Sequence, residues 1–167
     1  LLSRGLGDVY KRQVIYLGLQ IRQQNIITKA QFGHSLTQRL YDRYFQTSKD
    51  PEYAKFMSKD WSKPLNDPVD GWRVSMAILT YLVDIFDVYD KVETGLVDRS
   101  HLDTRMNTLK FGVMKTPVAK GTWASWKTTR DEKFVEWFER EIYGDEGLNI
   151  DDFKSEISRK ELNTYRD

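Results

Sequence analysis

The stretch that most constrains this chain is DPVDGWRVSMAILTYLVDIFDVYDKVETG, running from Asp67 to Gly95. It opens with an Asp at the N-cap and Pro68 in the first helical turn, and it closes on Gly95, so it carries its own start and stop signals. Between them the apolar residues fall on two adjoining stripes at alternating three- and four-residue steps. One stripe is Trp72, Met76, Leu79, Val83 and Phe86; the other is Ile78, Leu82, Ile85, Tyr89 and Val92. Two neighbouring stripes predict a helix with a wide buried face, packed against several others rather than along one seam. The opposite face, Arg73, Thr80, Asp84, Asp87 and Lys91, is polar. A core helix of this length, with no strand-period segment elsewhere, predicts an all-α fold: an irregular helical bundle with one long N-terminal helix and a central buried helix at about 68–94.

The flanking segments fit that plan. Residues 14–46 contain no proline, and Ile26, Ala30, Gly33, Leu36, Leu40 and Tyr44 share a helical face, which predicts one long helix. Asp50-Pro51-Glu52 repeats the cap-and-proline signal and starts a short helix over 51–59 that turns Tyr53, Phe56 and Met57 inward. Gly95-Leu96-Val97-Asp98 is a tight connection with Asp98 as the next cap. The helix after it, 99–115, carries Leu102, Met106, Leu109 and Val113, and so short a link makes it an antiparallel neighbour. Thr116-Pro117 begins a further turn or short helix bearing Trp123 and Trp126. Asp131 caps a helix over 132–143 that faces Phe134, Trp137, Phe138 and Ile142 to the core and stops at Gly144. Residues 145–167 form a polar C-terminal tail.

Cysteine is absent, which removes disulfides, thiolate metal sites and cysteine nucleophiles together. Residues 1–13, LLSRGLGDVYKRQ, resemble a translated sequencing adapter of the kind found at the ends of reading frames from metagenomic assemblies, and are read as non-native. They hold Arg4, Lys11 and Arg12 against Asp8, so without them the formal charge of +1 becomes −1. The mild basicity is then no sign of a nucleic-acid partner.

Val14–Leu19 is apolar or glycine throughout, while Arg22, Lys29, Arg39 and Arg43 follow with no acid before Asp42. An apolar run with basic residues behind it predicts the end of a transmembrane span with the basic side in the cytoplasm, the competing reading being the first turn or two of a soluble helix docked on the domain. The pattern Tyr16-Leu17…Gln20-Ile21-Arg22…Asn25 resembles the end of the span in an uncharacterised bacterial family of small single-pass membrane-anchored all-helical proteins. The likeness continues through Pro51-Glu52, Gly95-Leu96-Val97-Asp98, Gly121, Trp126 and Arg130, to about Tyr143. It departs at Ile26, where the family has Thr, and at Asn25, which stands one position late. What the resemblance implies is a location and an architecture: residues 14–20 as the remnant of a transmembrane helix, residues 21–144 as a helical domain, and attachment to the inner (cytoplasmic) membrane through a truncated anchor. It implies no activity.

No group of residues names a reaction. Asp84, Asp87 and Asp90 step by three along the central helix and are the strongest acid–base candidates, but they fall on its polar edge near cations, where an ion pair with another helix is the plainer reading. Asp84 interrupts the apolar run, which argues against that helix crossing a membrane. His34 and His101 lack a recognised metal-ligand spacing, so no metal or cofactor is expected. Gly33-His34-Ser35 echoes a serine elbow but has Thr37 in place of the second glycine and no strand before it. Trp123, Trp126 and Arg130 form the densest aromatic cluster and are the candidate interaction patch if they do not simply pack in the core. The expected role is a non-enzymatic, membrane-tethered helical interaction or scaffolding domain with a protein partner. The alternatives are an enzyme using Asp84 and Asp87 or His101, and a soluble regulatory domain that binds a ligand between its helices.

Overall fold

The computed structural model describes residues 2–63 and 67–144, with side chains from residue 7. The tail expected over 145–167 lies outside the described residues. Six α-helices, and no strand, occupy what is described: α1 (Leu2–Lys49), α2 (Pro51–Met57), α3 (Pro68–Glu93), α4 (Ser100–Lys110), α5 (Pro117–Trp126) and α6 (Glu132–Tyr143). The all-α bundle with one long first helix and a central helix at 68–93 is therefore the fold.

The helix ends are where the side chains specify them. The Asp50 carboxylate accepts from the amides of Glu52 and Tyr53, both at 3.0 Å, and Asp67 accepts from Val69 at 2.9 Å. Asp131 accepts from Phe134 at 2.8 Å. Each satisfies amides that the first turn of a helix leaves unpaired. At the end of α3 the amide of Leu96 donates to the Lys91 carbonyl at 2.8 Å and that of Gly95 to Val92 at 2.9 Å. These are the two bonds of a Schellman cap, and Gly95 adopts the required positive φ of 69°.

α4 departs from the sequence reading at both ends. Asp98 does not cap it; Arg99 stands at the N-cap without a side-chain bond. The helix stops at Lys110 rather than Lys115, because Gly112 takes φ 106° and the chain re-enters as a short 3-10 turn over Val113–Lys115. That break swings Met114, not Val113, into the fully buried position.

α3 is the core helix, but only part of its predicted face is covered. Val74, Ile78, Leu82, Ile85 and Val88 are essentially inaccessible, whereas Trp72 and Val83 are exposed and Met76 partly so. The core lies between α3 and the layer of α4, α5 and α6. Its aromatic centre joins Phe86 and Tyr89 to Trp123, Phe134 and Phe138: Trp123 and Phe138 stand 4.3 Å apart by ring centroid, and Phe134 meets Phe86 edge-on at 5.2 Å. Such ring pairs contribute about 0.5–1.5 kcal/mol each beyond the area they bury.

α1, with 48 residues, is about 70 Å long. Residues 7–27 are all exposed, and Leu36 is the only fully buried side chain among the described residues of the helix. Contact with the body begins near Phe32 and Gly33. A Cβ at Gly33 would lie 3.3 Å from His101 Nε2, so this glycine allows the start of α4 to approach closely.

No helix among the described residues is long and apolar enough to cross a membrane. This corrects the expected single-pass anchor at residues 14–20 and the inner-membrane location that followed from it. The apolar run Val14–Leu19 gives way to Gln20, Arg22, Gln23, Gln24 and Asn25, and a span needs about 20 predominantly apolar residues.

Candidate functional site

Among the described residues, buried charge is concentrated where α1, α3 and α4 meet. The buried charged side chains among the described residues are Asp84 on α3 and Arg105 on α4, each 4% accessible. Arg105 Nε donates to Asp84 Oδ2 at 2.9 Å. The rest of its guanidinium is spent on backbone: Nη1 donates to the carbonyl of His101 and Nη2 to that of Leu36, both at 2.9 Å. Arg105 thus holds the C-terminal part of α1 to α4 by main chain as well as by charge.

Two arginines of α1 complete the arrangement. Arg43 Nη2 donates to Asp84 Oδ2 at 3.1 Å, and Arg39 Nη1 bridges Asp84 Oδ1 at 3.1 Å and Asp87 Oδ2 at 2.8 Å. Arg39 and Arg43 are four residues apart and Asp84 and Asp87 three apart, so each pair shares a helix face and the two faces meet. Lys91 also bonds Asp87. Arg43 lies over the Tyr81 ring, 5.0 Å from its centroid. Burial pushes the Asp87 carboxyl up, but the bonds from Lys91 and Arg39 outweigh burial and hold it below its ordinary value. Asp87 raises Arg39 in turn through their hydrogen bond.

This is a structural clamp in its chemistry. Both Asp84 oxygens are engaged by guanidinium groups, and Asp87 is tuned away from the near-neutral pKa that general acid–base work at pH 7 favours. Asp90, the third of the series, turns elsewhere and pairs with Arg130. His101 stands against Gly33, and His34 is exposed. Asp84 and Asp87 thus share Arg39, Asp90 pairs elsewhere, and the His101 imidazole lies against Gly33. Among the described residues no group of three or more His, Asp or Glu side chains is placed to hold a metal ion.

The three residues of the aromatic cluster separate. Trp123 is fully buried, and its indole Nε1 donates to Glu139 Oε1 at 2.9 Å, an oxygen that also receives Lys127 Nζ at 3.0 Å. Trp126 is exposed. Arg130 lies over Phe134 and Phe86, 4.6 and 5.2 Å from their centroids, rather than over Trp126. Trp126 alone of the three offers its ring to solvent.

Two exposed apolar surfaces stand beside the clamp. One is α1 over residues 14–31, with Val14, Ile15, Tyr16, Leu17, Leu19, Ile21, Ile26 and Ile27 all exposed. The other is an open groove of about 550 Å³ between α1 and α3, walled by Met76, Leu79, Thr80 and Val83 on α3 and by Arg39 and Arg43 on α1. A second cleft, under Arg43 and Arg105 beside Tyr44, Tyr81 and Thr108, has only about 10 Å³, room for one water at most. It is far below the several hundred Å³ of a small-molecule site.

The sequence named Asp84 and Asp87 but not Arg39, Arg43 or Arg105. The signal was available: Arg105 stands beside the apolar positions Leu102, Met106 and Leu109, where an unpaired cation would be costly, so it demands a buried carboxylate. Asp84, interrupting the apolar run of α3, is the matching demand. No protein-family model, curated protein or solved structure matches this chain.

Proposed function

We propose that this chain is a non-enzymatic helical interaction module, and that residues 14–31 of α1 are its docking element for a protein partner. The observation that carries the reading is the exposure of eight large apolar side chains on one projecting stretch of helix. Contiguous exposed apolar surface of that kind marks an interaction site in a folded protein. Arg22 and Lys29 are the only charges within the stretch, too few for a nucleic-acid footprint, so the partner is a protein offering an apolar groove or helix face.

The clamp supports this division of labour. By tying α1 to α3 and α4 from Leu36 to Arg43, it fixes the direction in which the free half of the helix projects. A docking element held in its bound conformation loses less entropy on binding than a disordered one.

The reading is tested by placing a photo-crosslinking residue at position 19 on the docking element, or at position 107 on the exposed face of α4, in cells of the gene's own source. A discrete protein adduct is expected from position 19 and not from 107. It should disappear when Ile15 and Ile26 are both changed to Glu in a chain that melts as the parent does. Adducts that are equal at the two positions, or that survive both substitutions, would contradict the proposal.

A further inference from the structure

Among the described residues, none covers the apolar wall of the groove between α1 and α3. Val69, Trp72, Met76, Leu79 and Val83 repeat at steps of three and four residues, the spacing that one helix presents to another. The stripe runs past the groove's own lining of Met76, Leu79 and Val83 to Trp72 and Val69, which are 65% and 62% exposed. The α1 side carries Arg39 and Arg43, and the cluster behind it is basic on balance, with Lys91 of α3 and Arg105 of α4 also set against the two carboxylates Asp84 and Asp87. Arg39, at the rim, keeps 44% of its side chain accessible. An occupant suited to this groove therefore carries apolar side chains at helical spacing with acids beside them.

We propose that the occupant is the chain's own C-terminal segment, residues 145–167. Ile150, Phe153 and Ile157 follow the i, i+3, i+7 spacing of groove anchors, and Asp151 and Asp152 lie between the first two. Residues 145–153 hold four acids, Asp145, Glu146, Asp151 and Asp152, and no base, the charge that the arginine rim calls for. The segment also starts from a fixed point on the body: the Tyr143 hydroxyl donates to the Met114 carbonyl at 3.2 Å, just before α6 ends. From there nine residues can reach about 30 Å, comparable with the width of a small domain. Because the tether keeps the local concentration high, roughly millimolar, weak intrinsic complementarity is enough for the groove to be covered. This inference is independent of the docking role of residues 14–31, since it concerns another face of the molecule.

The chain contains no cysteine, so introduced pairs report without background. Phe153→Cys is combined in the full-length protein with Met76→Cys, Thr80→Cys or Val83→Cys in the groove, or with Asn107→Cys on α4 as the control. Mild oxidation of dilute protein is expected to give an intrachain disulfide in at least one groove pair, at least tenfold faster than in the control pair. Adding Asp151→Lys and Asp152→Lys should slow that groove pair several-fold and leave the control unchanged. Three results would overturn the proposal: no groove pair faster than the control, disulfides that run between two chains, which would mean a second copy fills the groove, or a rate indifferent to the two charge reversals.

Discussion

The two halves of α1 share one ladder of backbone hydrogen bonds and differ in what surrounds it. From Phe32 onward the helix is fastened: Leu36 is buried, its carbonyl accepts from Arg105, and Arg39 and Arg43 close on Asp84. Over residues 14–27 every side chain is exposed, although this half is richer in large aliphatic residues. Composition alone would have buried the wrong half. The difference lies in charge placement: a helix docks where its polar groups find partners as well as where its apolar ones find cover. The free half needs no nucleation of its own, since it extends a helix already fixed by tertiary contacts, and each added residue costs only propagation.

That contrast breaks first at Asp84. Its removal leaves Arg105 buried without a counter-charge and takes from Arg39 and Arg43 their shared acceptor. Breaking a buried pair from one side costs about 3–5 kcal/mol. Asp84→Ala should therefore lower the denaturant midpoint more than any change in the projecting half, and chemical unfolding measures it. A midpoint near that of the parent would show that the clamp does not hold α1.

Matched truncations sharpen the same comparison. Leu36→Ala removes a buried side chain and should cost about 2–5 kcal/mol. Ile15→Ala, on the same helix, removes an exposed one and should stay within about 0.5 kcal/mol. Thermal melting of the two variants side by side gives the difference; equal losses would mean that the projecting half packs on the body.

A smaller effect belongs to Asp87. Its carboxyl is held below its ordinary value in the fold, so the unfolded chain takes up the proton first as the solution is acidified. The bonds from Arg39 and Lys91 thus add stability above about pH 4, lost as pH falls through the folded value. Asp87→Asn should flatten that part of the acid limb in urea titrations between pH 3 and pH 6. An unchanged slope would remove Asp87 from the account. Solvent screening of this partly exposed pair keeps the effect modest.

The helix ends were largely legible, because Asp50, Asp67, Asp131, Gly95 and Gly144 act through local hydrogen bonds that the sequence spells out. The early end of α4 was not: Gly112 is compatible with either a helix or a positive φ, and only the packing of Met114 decides between them. The face of α3 was half legible. Periodicity shows that Trp72, Met76, Leu79 and Val83 share a stripe, but nothing in it says which neighbouring element comes to lie there. The clamp was legible from one side only. Asp84 stood out as a charge in an apolar run, and its three partners come from positions 21 to 45 residues away, a pairing that the fold brings together and that local pattern does not encode. Reading Val14–Leu19 as the end of a membrane span failed for a related reason: a short local apolar run was taken for part of the roughly 20-residue run that a span needs, and no helix among the described residues carries one.

The most direct test of the account is amide hydrogen exchange along α1 in the full-length protein, followed by mass spectrometry. Residues 33–49, fastened by the clamp, should exchange on the slow timescale of α3 residues 74–89, whereas residues 14–31 should exchange orders of magnitude faster through local fraying. Introducing Asp84→Ala should erase the boundary by bringing 33–49 up to the rate of the free half. Uniform slow exchange from residue 14 to residue 49 in the parent protein, or a boundary that persists without Asp84, would contradict the account.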